Sequence, residues 1–153
     1  MSSTSLFRRA TEADLPALLE MMRDFYAHES LRFDPGVAER ALREMLADDR
    51  LGRVFLIGGG AEAAGYAVLT FGYSLEFHGR DAFVDELYLQ EGARGRGTGR
   101  QALEFLAGVC SDLGVRALHL EVVRGNEAAQ RLYRGFGFED HDRYLMTKWV
   151  SSP

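Results

Sequence analysis

The chain has a single cysteine, Cys110, so no disulfide can form within it. It falls in a helical apolar pattern, which reads as a buried, inert thiol. The four histidines, His28, His78, His119 and His141, stand at no metal-ligand spacing, and no metal site is predicted. No apolar run approaches the roughly 20 residues needed to cross a bilayer. The first residues lack the basic-then-apolar pattern of a secretory signal. Basic residues form no tail or stripe, and 23 acidic against 18 basic residues give a formal charge of −5, which weighs against nucleic acid as a substrate. An acidic surface favours cationic partners instead, an effect that is modest and screened by salt. These absences lead us to expect a cytoplasmic protein that engages neither membrane nor nucleic acid.

What is present fits one globular unit. At 153 residues the chain is expected to form a single domain over 1–153, large enough to bury most of its apolar surface. A first strand is predicted over 5–10. Thr11 and Asp14 stand in a capping-box relation. Leu15, Leu18, Leu19, Met22, Phe25 and Tyr26 then recur at helical spacing. Asp34-Pro35 restarts a helix, with Asp as cap and Pro in the first turn; Val37, Ala41, Leu42, Met45 and Leu46 form its apolar face. Strands are predicted at 53–57 and 65–75 around a hairpin turn at 58–63, and again at 82–89. A helix from about Gly97 buries Leu103, Leu106 and Val109. A strand at 115–123 and a short helix at 126–134 follow, and residues 138–140 and 144–150 are expected to close the sheet.

Residues 85–106, DELYLQEGARGRGTGRQALEFL, hold the densest signal. Two carboxylates end a strand, a glycine- and arginine-rich turn follows, and an amphipathic helix begins. A strand feeding a Gly-rich turn into a helix N-terminus builds an anion pocket from backbone N–H groups, aided by the helix dipole. In Arg94-Gly95-Arg96-Gly97-Thr98-Gly99 the glycines let backbone approach a ligand closely. Arg94 and Arg96 can add charge-assisted hydrogen bonds to phosphate oxygens. A P-loop is excluded, because the only lysine, Lys148, is far away. A dinucleotide fingerprint fails too, because its third glycine position is Arg100.

This turn resembles the acetyl-CoA-binding motif of the GNAT superfamily of N-acetyltransferases: Gln or Arg, two residues, Gly, one residue, then Gly or Ala. Arg94, Gly97 and Gly99 occupy the specified positions. Downstream, VVRGNEAAQRLYRGFGFED (122–140) resembles the family's second motif, with Asn126 after a strand, Tyr133 on the helix and then Gly-Phe-Gly-Phe. Upstream, FRRATEADLPALLEMM (7–22) resembles the usual family opening, and the similarity spans essentially residues 6–150. It implies an α+β, three-layer fold with a mixed, mostly antiparallel sheet and helices on both faces. It also implies that the fourth and fifth strands splay apart and that the cofactor, acetyl-CoA, threads the gap.

Acetyl transfer to an amine poses two proton problems. An amine of pKa about 10.4 costs roughly 4.6 kcal/mol to deprotonate at pH 7. Asp85 or Glu86 can accept that proton directly or through water. Residues alternate across a strand, so at most one should face the reacting centre unless a bulge breaks the parity. Glu86 has the longer reach, whereas the resemblance favours the first acidic position, Asp85. Whichever is not the base is expected to cap a loop or pair with an arginine. The second problem is the leaving thiolate. A tyrosine stays protonated at pH 7 and can offer its hydroxyl to the sulfur; Tyr133 matches the family's general acid. Asn126, Gln130 and Tyr133 lie at i, i+4 and i+7, on one helix face. The resemblance assigns Asn126 to the pantetheine arm, and it can also serve as a helix N-cap. By the same resemblance, Leu87, Tyr88 and Leu89 supply backbone groups to pantetheine and the thioester carbonyl.

Acceptor contacts are expected from the first helices and the strand-turn before the motif: Tyr26, His28, Glu29, Phe33, Asp34, Tyr73, Glu76 and Phe77. Aromatics with acids suit a cationic amine, and polyamines, amino acids and aminoglycosides all fit that description. The leading expectation is an acetyl-CoA-dependent N-acetyltransferase acting on a small-molecule amine. The alternatives are a protein N-terminal or lysine acetyltransferase, a non-catalytic CoA-binding module, and a nucleic-acid-modifying enzyme, the last disfavoured by charge. A homodimer is implied by the resemblance.

Overall fold

The computed structural model describes residues 5–58 and 62–152. Strand β1 (Phe7–Arg9) passes through a single 3-10 turn at Glu12–Asp14 into helix α1 (Leu15–His28), and α2 (Pro35–Ala47) follows. Next come β2 (Gly52–Ile57), β3 (Gly65–Ser74) and β4 (Gly79–Leu89), then α3 (Thr98–Asp112), β5 (Ala117–His119) and α4 (Glu127–Phe136). The helix starts have local causes. The Asp14 carboxylate accepts from the Thr11 N–H at 2.8 Å and takes the Arg8 guanidinium on both oxygens at 2.9 Å. Asp34 accepts from the N–H groups of Gly36 and Val37 at 3.0 and 3.2 Å, with Pro35 opening α2. The hairpin expected at 58–63 falls partly, at 59–61, outside the described residues.

The sheet has the order β1-β2-β3-β4-β5. The first four strands are antiparallel and β5 is parallel to β4. On one face α1 and α2 lay Leu18, Met21, Met22 and Leu42 against Val54, Leu56, Tyr66, Val68 and Tyr88. On the other, α3 lays Ala102, Leu106 and Cys110 against Phe55, Ile57, Ala67, Leu69, Ala82 and Val84. Burial of both faces explains why β2 is apolar almost throughout rather than at alternate positions. This is the mixed, mostly antiparallel sheet with helices on both faces that the resemblance implies.

Two features of β4 shape everything near its end. First, Val68 pairs with Glu86 while Leu69 pairs with Val84, so Asp85 is an extra residue in a β-bulge. Ahead of the bulge Ala82 and Val84 pack under α3; beyond it Leu87 and Leu89 do, and Tyr88 packs under α1. The side-chain parity therefore switches at Asp85. Second, β5 is shorter than the predicted 115–123, and its ladder covers only Asp81–Phe83 of β4. A 3.1 Å contact between His119 Nε2 and Asp81 Oδ2 holds it there. From Val84 to Leu89, β4 has no strand partner on that side among the described residues. The parting begins at Val84, one residue ahead of the bulge, which bends the strand that carries it.

The closing strands expected at 138–140 and 144–150 do not form. The sheet edge on that side, β5, is only the three residues Ala117–His119, and no ladder joins it to the tail. Tyr144, Met146 and Val150 are left 85, 88 and 94% exposed. The segment is instead tied down by Arg143, which donates to both Glu76 oxygens at 2.9 and 2.6 Å, and by Arg124 over the Tyr144 ring.

Gly65 sits where β3 meets the end of β4, and a Cβ there would lie 2.1 Å from the Tyr88 carbonyl oxygen. Gly65→Ala should therefore lower stability by about 1–3 kcal/mol through forced separation of the two strands. Urea unfolding measures this, and an unchanged midpoint would contradict the packing described.

Candidate active site

The bulge turns Asp85 and Glu86 into one cavity between the sheet and the α1–α2 pair. The expectation that only one carboxylate faces inward fails for the reason foreseen as its exception. The two acids are held differently. Glu86 Oε2 accepts from the Tyr26 hydroxyl at 2.5 Å and Oε1 from the Tyr66 hydroxyl at 2.6 Å. Burial pushes the Glu86 carboxyl above the usual range, the two phenols pull the other way, and Asp85 adds to the rise. Both phenol groups are pushed up, by burial first and then by the hydrogen bond to Glu86 and its charge, so they remain donors. Asp85 makes no side-chain hydrogen bond among the described residues. It is accessible at the cavity mouth, yet the surrounding walls withhold enough water to push its carboxyl up. A free carboxylate with a raised pKa can take a proton; one pinned by two phenols must first surrender a hydrogen bond.

Beyond β4 the Gly-rich turn has the backbone its composition suggests. Gly95 and Gly97 both have φ of +77°, the left-handed region that disfavours a side chain, and a Cβ on either would project into open space. Gly97 is the N-cap of α3 and supplies no side-chain cap, so the first-turn N–H groups, including that of Thr98, remain available to an anion. Gly99 serves packing, since its Cβ would lie 3.4 Å from the Leu132 side chain on α4. Arg94 turns back onto β4: its Nε donates to the Leu89 carbonyl at 2.8 Å and its guanidinium lies 5.8 Å from the Tyr88 ring centre. Arg96 is exposed and makes no ion pair among the described residues. The donor set suits a diphosphate, and the unpaired edge at Leu87, Tyr88 and Leu89 suits an extended amide chain.

On α4, Asn126 is the N-cap, accepting from the Ala129 N–H at 3.1 Å. Gln130 donates to the carbonyls of Val123 and Arg124 at 3.2 and 2.6 Å, which fixes the helix to the loop before it. Tyr133 is half-buried. Burial pushes its hydroxyl pKa up, and Glu29 at the end of α1 adds to the rise, so it stays a proton donor at neutral pH.

Of the residues expected to contact an acceptor, Tyr26, Phe33 and Asp34 line the cavity. His28, Glu29, Tyr73, Glu76 and Phe77 do not. His28 lies in the exposed last turn of α1, and Glu29 faces Tyr133. Tyr73 stands five residues along β3 from Val68, about 17 Å at the usual strand rise. The length of β3 thus takes Tyr73 and the turn beyond it away from the bulge. Glu76 is engaged by Arg143, and Phe77 meets His119 and His141 edge to face. Cavity residues that the sequence reading missed are Arg32, Ala38, Val68 and Trp149, together with Met22, Val37, Ala41, Leu42 and Met45, read there only as apolar helix faces. Tyr66 was missed as well. The available signal was its parity with Val68 on β3, because a buried tyrosine needs a hydroxyl partner.

Residues 15–138 match the Acetyltransferase (GNAT) family. The chain belongs to that family and is an N-acetyltransferase. It is 27% identical over 144 residues to thialysine N-epsilon-acetyltransferase of Bos taurus, across 88% of this chain and 84% of the relative. It is also 27% identical over 135 residues to the L-methionine sulfoximine/L-methionine sulfone acetyltransferase of Pseudomonas aeruginosa, across 86% and 78% of the two chains. Among solved structures, an integron cassette protein from the mobile metagenome of Cole Harbour Salt Marsh superposes with a TM-score of 0.85 at 36% identity, covering 97% of this chain and 92% of that one.

Removing one phenol from Glu86 tests the electrostatics of this GNAT site. Tyr66→Phe should cost about 1.5–3 kcal/mol at neutral pH, the range for a hydrogen bond to a charged group. The lost bond favours the ionised Glu86, so the cost should shrink as pH falls through the raised Glu86 pKa. Urea unfolding at neutral and acid pH measures both; a penalty independent of pH would contradict an ionised Glu86.

Proposed function

We propose that this chain moves an acetyl group from acetyl-CoA to the primary amine of a small molecule, by direct attack within a ternary complex. The observation that carries the reading is the bulge, which turns a free carboxylate of raised pKa into a cavity beside the unpaired end of β4. The two enzyme relatives, which by their names act on thialysine and on methionine sulfoximine or sulfone, support a small acceptor, and so does a cavity of only about 380 Å³.

Each residue has a part. The N–H groups at Gly95, Gly97, Thr98 and Gly99, with Arg96, hold the diphosphate of acetyl-CoA, and the Leu87–Leu89 edge aligns the pantetheine arm. Asp85 accepts the proton of the acceptor ammonium and passes it to water. Acetyl-CoA supplies the acetyl group as a thioester, so the nitrogen–carbon bond forms as the carbon–sulfur bond breaks. A backbone N–H at Tyr88 or Leu89 stabilises negative charge on the carbonyl oxygen. Tyr133 delivers its proton to sulfur, and the second proton shed by the nitrogen restores the Tyr133 hydroxyl by way of water, so the products are an amide, free CoA and the one proton that Asp85 released. Glu86, held by Tyr26 and Tyr66, fixes the strand end and keeps a negative charge beneath the ammonium.

Asp85→Asn should lower kcat/KM at pH 7 by about 10²–10⁴ without changing acetyl-CoA affinity. The wild-type rate should rise with pH through the raised Asp85 pKa and then level. The variant should go on rising toward the amine's own pKa, about 10.4, because the free-base fraction alone then limits it. Thiol-release kinetics across pH with Glu86→Gln alongside check this; equal, pH-independent losses in both variants would contradict the assignment.

A further inference from the structure

The cavity that receives Asp85 has walls its carboxylates do not explain. Met22 from α1, Leu42 from α2 and Val68 from β3 line it and are buried, and Met45 and Phe33 are partly buried beside them. The polar groups in the same lining are mostly engaged already. Tyr26 and Glu86 bond to each other, and Asp34 caps α2 through two backbone N–H groups. Among the described residues, the lining groups left without a hydrogen bond or ion pair include one anion, Asp85, and one cation, Arg32. At about 380 Å³ the space lies near the lower end of the roughly 300–1,000 Å³ typical of small-molecule sites.

The geometry points to an acceptor that carries one primary amine on an apolar body, a hydrocarbon chain or an aromatic ring, with no second cation. This rests on the acetyl-transfer reading and narrows it. The ammonium end pairs with Asp85, loses its proton there and becomes the amide nitrogen, while the body covers Met22, Leu42 and Val68. A polyamine or aminoglycoside would bring a further ammonium onto thioether and aliphatic surface that cannot solvate it. Of the other charges in the lining, the Glu86 carboxylate is committed to two phenols and that of Asp34 to the first N–H groups of α2, while Arg32 has the same sign as the second ammonium and repels it. Cationic acceptors as a class, which aromatic and acidic residues taken together suggested, thus divide in two, and the walls select the monoamines.

Matched amines test this on the full-length enzyme with acetyl-CoA and thiol detection. From propylamine to hexylamine, kcat/KM should rise about fourfold per methylene, the equivalent of roughly 0.8 kcal/mol for each buried CH₂. Hexylamine should exceed 1,6-diaminohexane, its equal in length with a second ammonium, by at least about tenfold. Ala41→Asp places a carboxylate on the exposed side of the lining and should narrow that ratio by about tenfold, with acetyl-CoA affinity by calorimetry unchanged. A flat chain-length series, or 1,6-diaminohexane equal to or better than hexylamine, overturns the apolar-amine inference and leaves acetyl transfer to small amines standing. If acetyl-CoA binds but neither these amines nor amino acids and aminoglycosides release CoA, the acetyl-transfer reading falls and the inference with it.

Discussion

One extra residue in β4 sets the chemistry of this protein. A strand of perfect alternation would put Val84, Glu86 and Tyr88 on one face and Asp85 with Leu87 on the other. The bulge at Asp85 lets Val84 pack under α3 while Glu86 and Tyr88 turn toward α1. Both faces of β4 stay apolar where helices cover them, and two adjacent carboxylates share a cavity that regular pleating would deny to one of them. The cost is two acids with raised pKa values side by side. The molecule meets it unequally, with two phenols on Glu86 and none on Asp85. That inequality leaves one acid fixed by hydrogen bonds and the other free of them.

The rest of the site depends on where sheet pairing stops. β5 leaves β4 after Phe83, which frees the backbone groups of the strand end for a ligand. The chain then makes its Gly-rich turn and starts α3 with no side-chain cap, so a second set of donors is left open just beyond the strand end. Unsatisfied N–H groups are a liability in a protein without a ligand and a recognition surface in one that binds a diphosphate and an amide chain. Asn126 and Gln130 contribute by fixing α4, and hence Tyr133, to the loop before it.

Local features were legible in the sequence because their causes lie within a few residues. Thr11 with Asp14, Asp34 with Pro35, and the left-handed glycines of the 94–99 turn each specify their own geometry. Helix faces followed from spacing, and the family motifs joined the turn to Asn126 and Tyr133. Features that depend on a partner strand were not legible. Counting along β4 alone cannot place a bulge, since the extra residue exists only relative to Val68 and Leu69. The role of Tyr66 needs Glu86 across the ladder. Tyr73 and Glu76 looked close to the acids in sequence, but the length of β3 takes them away. The tail at 144–150 has the composition of a strand, yet no ladder joins it to the short edge at β5.

The most direct test of the bulge is to remove it. Deleting Asp85 would leave Val84 under α3 and Glu86 beneath Tyr26 and Tyr66, now in unbroken alternation. The measurement is kcat/KM for acetyl transfer by this deletion variant, taken on material whose urea midpoint matches the wild type. If the bulge places the base, the variant folds and its transfer falls at least about 100-fold. Wild-type turnover in that folded variant would contradict it.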